Sequence, residues 1–139
     1  MKGNVIMSRS LIQTANPSTQ AVAVGGIINL GSVLRKFGCN CRLNGNVIEV
    51  EGAGYYTITG TFTVAPTAAG NVTVAILENG VQIAGATATV NGTAGNAVTI
   101  PIVTTVRQGC CCDGASSLTC VLTEGAGNVT NVSLRVEKE

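Results

Sequence analysis

The sequence predicts an all-β fold, an antiparallel β-sandwich of about ten strands, and three observations carry that prediction. Turn signals recur at roughly 8–12 residue intervals after residue 20, between short runs rich in Val, Thr, Ile and Ala. Three pairs, Asn44-Gly45, Asn79-Gly80 and Asn91-Gly92, offer the positive φ that a type I′ hairpin turn demands. Between Gly52 and Val106 the single charged side chain is Glu78, set among runs such as GYYTITGTFTVAP, NVTVAILENG and NAVTIPIVTTV. Strand faces in water carry more charge than this, so the stretch points to surface hidden in an assembly.

In chain order, residues 1–19 read as an N-terminal arm closed by the turn signal Asn16-Pro17-Ser18, and residues 20–139 as one β-sandwich domain. Met7 opens a second start, MSRS, which would make the first six residues an extended start or a tag remnant. Strands are expected at 20–24, 27–30, 38–43, 46–50, 55–64, 71–78, 81–90, 97–107, 117–123 and 129–137. Residues 32–36 are the best helical candidate, one short turn. The similar segments AAGNVTVAI, TAGNAVTIPI and GAGNVTNVSL are explained by a Gly-Asn turn that opens a Val/Thr strand, without a true repeat.

Alternation then sorts the faces. In the run 55–64, Tyr56, Ile58, Phe62 and Val64 share one face and form core, whereas Tyr55, Thr57, Thr59, Thr61 and Thr63 share the other. That threonine face suits either packing against another subunit or a solvated ladder of hydroxyls. The same counting puts Val72, Val74, Ile76, Val98, Ile100, Ile102, Leu118, Leu122, Val132, Leu134 and Val136 inside. Pro101 cannot donate to a ladder, which makes its strand an edge or places a bulge there.

Composition bounds the function classes. A chain of 139 residues fits one domain that buries roughly two thirds of its unfolded surface. The net charge is +1 and the eight basic residues are scattered, so no electrostatic footprint for nucleic acid exists. No apolar run approaches the roughly 20 residues of a membrane-spanning helix, and no membrane partner is expected. The N-terminus lacks the apolar core of a secretory signal, which implies synthesis in a host cytoplasm.

The strand opening Gly54-Tyr55-Tyr56-Thr57-Ile58, the hairpin Val74-Ala75-Ile76-Leu77-Glu78-Asn79-Gly80 and the closing strand at 129–136 resemble the tumour-necrosis-factor/complement-globular-head jelly roll. More closely, residues 20–139 are similar to small jelly-roll proteins of prophages in gut Firmicutes and to the C-terminal domains of collagen-like spore-surface proteins. The resemblance implies a TNF-like, homotrimeric jelly roll around a threefold axis with loops displayed outward. It places the threefold contact on the faces of strands 55–64, 97–106 and 129–136, and so Tyr55, Thr57, Thr59, Thr61 and Val103 at a trimer interface. The chain lacks a Gly-X-Y collagen segment and the charged loop clusters with which complement heads bind ligands and calcium, so neither role carries over.

Six cysteines fall as Cys39-Asn40-Cys41, Cys110-Cys111-Cys112 and Cys120. Alternation puts Cys39, Cys41 and Leu43 on one face and Cys120 inward, as a small buried hydrophobe. Cys39, Cys41, Cys110, Cys111 and Cys112 are candidates for disulfides between the two clusters or between subunits; free thiols are the alternative. The spacing is not that of a tetrahedral zinc site and the chain has no histidine, so no metal or other cofactor is expected. Disulfides rarely persist in a cytosol, but a protein assembled reduced and then released by lysis meets an oxidising medium, as virions and spores do.

Catalysis finds little to work with. Without histidine the common triads and the usual general base are absent. Glu49 and Glu51, at i and i+2, read as a solvent-facing strand edge and not as a glycosidase pair, and no glycine-rich loop precedes a helix. The expectation is a non-enzymatic structural protein of a phage particle, a trimeric capsid decoration or head-fibre component located in the virion, whose arm 1–19 docks on a shell protein. The alternatives are a receptor- or carbohydrate-binding fibre-tip module, for which two Tyr and two Phe supply few stacking platforms, and a disulfide-linked spore or cell-surface filament subunit.

Overall fold

Twelve antiparallel strands build the computed structural model, which describes residues 10–108 and 115–138. They are β1 (Ser10–Asn16), β2 (Gln20–Val22), β3 (Gly26–Ile27), β4 (Ser32–Phe37), β5 (Cys41–Asn44), β6 (Val47–Val50), β7 (Gly54–Pro66), β8 (Gly70–Glu78), β9 (Val81–Gly92), β10 (Val98–Gln108), β11 (Ser116–Glu124) and β12 (Gly127–Lys138). One six-stranded sheet runs β10-β7-β12-β1-β4, with β2 also paired to β12; the other runs β5-β6-β11-β8-β9, with β3 also paired to β11. Each of the ten expected strands has its counterpart in these two sheets.

The core lies between the sheets because strand alternation sends one apolar set from each towards the other. Tyr56, Ile58, Phe62 and Val64 of β7 meet Val72, Val74 and Ile76 of β8, Leu118 and Leu122 of β11, and Val132, Leu134 and Val136 of β12 in one continuous cluster. Ile100 and Ile102 join it from β10, while Val98, at the strand's start, is half-buried. The inward position between Ile58 and Phe62 is Gly60, over which the Phe62 ring and Leu134 fold: a Cβ there would sit 3.0 Å from Phe62 Cε1 and from Leu134 Cδ1. Pro101 lies on an edge strand, since β10 has one partner in its sheet, as a residue without an N–H requires.

Several expectations are corrected. Residues 10–16 are not part of an arm: β1 is an interior strand between β12 and β4, so the sheet begins at Ser10 and not after residue 19. The alternation test missed it because its inward set, Ser10, Ile12, Thr14 and Asn16, holds one apolar residue. Residues 32–36 are not a helical turn but most of β4, an edge strand exposed along its whole length, which therefore carries no hydrophobic period. Of the three Asn-Gly signals, Asn79-Gly80 makes the type I′ turn, with φ of 53° and 82°. At the β5–β6 hairpin the loop is Gly45-Asn46, because Asn44 pairs with Val47 and the positive φ falls on Gly45. Asn91-Gly92 is no turn; the two residues pair with Asn71 and Gly70 inside the β8–β9 ladder.

The chain reaches β4 through a tight passage. Asn29 Oδ1 accepts from Gly31 N at 2.8 Å, Gln20 and Asn29 exchange two hydrogen bonds of 2.9 Å, and Asn16 Nδ2 donates to Asn29 O. Gly31 has a φ of +82° and its backbone touches β1, where a Cβ would come within 2.2 Å of Ala15 O. Gly31→Ala is expected to cost at least about 2 kcal/mol, from strain and overlap together, read as a lower urea midpoint. Thr14 Oγ1 is buried and finds no hydrogen-bond partner among the described residues. Replacing that hydroxyl with a methyl in Thr14→Val is therefore expected to stabilise the fold by about 1 kcal/mol, and an unchanged or lower midpoint contradicts the assignment.

Candidate functional site

With one side of β7 committed to the core, its other side becomes the outer face of the first sheet. β7 pairs along its length with β10 and β12, and paired residues point the same way. Outward residues consequently line up in rows across the sheet. One row is Thr105, Thr57, Glu137, Leu11 and Phe37; the next is Val103, Thr59, Arg135, Gln13 and Arg35; a third is Pro101, Thr61, Ser133, Ala15 and Ser32. Tyr55, opposite Arg107, stands one step beyond the first row at the end of the sheet.

The five residues expected at an interface, Tyr55, Thr57, Thr59, Thr61 and Val103, thus lie together on this face, with Val103 directly opposite Thr59. Tyr55 is 54% exposed and Val103 66%. Leu11, Gln13, Arg35 and Phe37 share the face although no period in the sequence marks them, since β1 and β4 stand where an arm at 1–19 and a helical turn at 32–36 are expected. Phe37, at 63% exposure, is like Tyr55 and Val103 a large apolar side chain held in water on this face. Charge here is sparse: Arg135 Nη2 pairs with Glu137 Oε1 at 3.2 Å in the open, a contact of small net energy, and Arg35 and Arg107 stand towards the rim.

A second cluster sits at the same end of the sandwich. Tyr56 donates to the carbonyls of Glu51 at 3.0 Å and Gly52 at 2.7 Å, tying the start of β7 to the β6–β7 connection. Asn40 Nδ2 donates to Glu51 O at 2.7 Å, and Ser116 Oγ donates to Gln108 Oε1 at 2.7 Å inside the protein. Cys39 and Cys41 do not share a face as alternation suggested: Cys39 is exposed in the bend before β5, while Cys41 is buried within it. Cys120 is buried in the core, and Cys39, Cys41 and Cys120 are all free thiols. Cys110, Cys111 and Cys112 lie outside the described residues. Glu49 and Glu51 face solvent and share Arg42, at 2.7 and 3.4 Å.

No family model matches this chain, and no curated protein matches it. Solved structures do. The chain superposes on the crystal structure of murine APRIL with a TM-score of 0.73 at 8% identity, covering 94% of this chain and 99% of that one. The fold is the TNF-like jelly roll. The globular domain of zebrafish complement 1qA protein gives a TM-score of 0.68 at 5% identity, over 90% of this chain and 94% of that one. PRD1 vertex protein P5 gives 0.56 at 13% identity, over 93% and 96%. At such identities the likeness of this jelly roll to the others is one of fold.

Burial governs the thiols. It pushes Cys41 up to about 11, against a smaller opposing pull from Lys36 and Lys138, and pushes Cys120 up to about 12. Since the thiolate is the reactive form, iodoacetamide at pH 8 is expected to label Cys39 while Cys41 and Cys120 stay unmodified until unfolding; comparable labelling of all three, by peptide mass spectrometry, would contradict this. Burial also lifts Tyr56 to about 12, helped by Cys41. All three groups hold their protons more tightly folded than unfolded, so their contribution is constant below about pH 9 and is lost as pH rises towards 12. A urea midpoint that falls above pH 9, less steeply in Cys120→Ala, is the expected result.

Proposed function

We propose that this chain is a structural protein of a phage particle, a homotrimer that acts as a capsid decoration or head-fibre component. The observation that carries the reading is the outer face of the β7 sheet. Its centre is hydroxyl-rich, it holds Phe37, Tyr55 and Val103 exposed, and apart from one internal ion pair its charges lie towards the rim. Interfaces between permanent partners have this depletion of charge at the core, with aromatic residues enriched. The particle context draws support from the fold likeness to PRD1 vertex protein P5.

On this reading Tyr55, Thr57, Thr59, Thr61 and Val103 pack around the threefold, joined by Gln13 and Phe37 from the two strands that complete the face. Because β1 belongs to the sheet, contact with a shell protein falls to the residues ahead of Ser10 and not to a nineteen-residue arm. The protein is made in the host cytoplasm, released by lysis and located in the virion. Exposed Cys39 supports an additional cross-link, one disulfide between two copies formed by oxygen in the medium after release, which a non-reducing gel would reveal as a dimer band that collapses with thiol.

Sedimentation of the full chain at micromolar concentration is expected to give a trimer, and purified particles to contain the protein by mass spectrometry. Val103→Arg places an unmatched charge beside Thr59 within the proposed contact and is expected to weaken association by at least about 100-fold, with the β-sheet spectrum unchanged. A wild-type chain that remains monomeric would remove the basis of the proposal.

A further inference from the structure

A face packs against a rotated copy of itself when what protrudes on one half meets a recess on the other. The outer face of the β7 sheet has both. A recess of about 130 Å³ lies between Ser10, Leu11, Phe37 and Glu137, on the half formed by β1, β4 and β12. Tyr55 stands on the other half, large and 54% exposed.

Knob and recess lie at the same end of the sheet. β7 opens at Gly54, β1 opens at Ser10 and β4 closes at Phe37, while Thr57, Glu137, Leu11 and Phe37 form one row. Tyr55 is two residues, about 7 Å, beyond that row. Rotation about an axis along the strands carries one half of the face towards the other without changing height. A foreign partner would need no such match within one chain, which is why a second copy is the favoured occupant.

We propose that Tyr55 of one copy seats in the recess formed by Ser10, Leu11, Phe37 and Glu137 of the next, an inference that rests on the trimeric reading above. The phenol ring packs against Phe37 and Leu11, as an aromatic ring with one polar tip prefers. Its hydroxyl donates to the Glu137 carboxylate, which keeps acceptor capacity beside its 3.2 Å contact with Arg135. Each copy gives one knob and accepts one, so the contact is heterologous and closes as a ring.

A double-mutant cycle on trimer dissociation, with Tyr55→Ala, Phe37→Ala and the pair in the full chain under reducing conditions, tests the contact. Within one chain the two residues are three strands apart, about 14 Å, beyond the range over which substitutions couple. Coupling between them therefore reports contact between copies. Each single substitution is expected to weaken the trimer about tenfold or more, the pair little further than the worse single change, and Tyr55→Phe less than Tyr55→Ala. Additive effects in a chain that still trimerises overturn this assignment alone and leave the recess to another occupant. A monomeric wild type overturns the trimer and this contact with it.

Discussion

The register of β7 between β10 and β12 is the constraint on which the rest of the molecule depends. A slip of one residue in any β-ladder exchanges its two faces. Here the inner face is over-determined: Phe62 and Leu134 close over Gly60, and Tyr56 is held by the carbonyls of Glu51 and Gly52. Once those are placed, Tyr55, Thr57, Thr59 and Thr61 have no choice but the outer face, and the pairing with β10 brings Val103 beside them. The candidate interface is the other side of the core.

Placement of charge fits that division. Arg35 and Lys36 lie on the edge strand β4, and Arg42, with Glu49 and Glu51 around it, lies at the β5 edge of the second sheet. Pro101 blunts the edge strand β10. Charge and proline at edges oppose pairing with the backbone of another chain, the common route to aggregation. Three of the four sheet edges thus carry charge or proline, while the fourth, β9, carries neither.

Most of this fold is legible from alternation because the inward residues of β7, β8, β10, β11 and β12 are mostly Val, Ile, Leu, Phe or Tyr. β1 escapes the test since Ser10, Thr14 and Asn16 occupy inward positions, where Asn16 is satisfied by the Asn29 carbonyl and Thr14 by no group among the described residues. β4 escapes it because an edge exposed on both sides imposes no period. The consequence for the site is direct: its β7 and β10 half could be read from sequence, whereas the half with Leu11, Gln13, Arg35 and Phe37 required the topology. Cys39 and Cys41 show the same limit, because the bend before β5 breaks the alternation that would have put them together.

Whether the outer face is covered in solution is best measured by hydroxyl-radical footprinting of the intact protein, because the fold supplies its own controls. Val24, Ile27 and Val81 are exposed apolar residues of the other face and the loops, at 58%, 51% and 69%, and should be modified freely. Phe37, Tyr55 and Val103, similarly exposed in the single chain, are expected to be protected together and to lose that protection on dilution to monomer. Equal modification of the two sets at every concentration would contradict it.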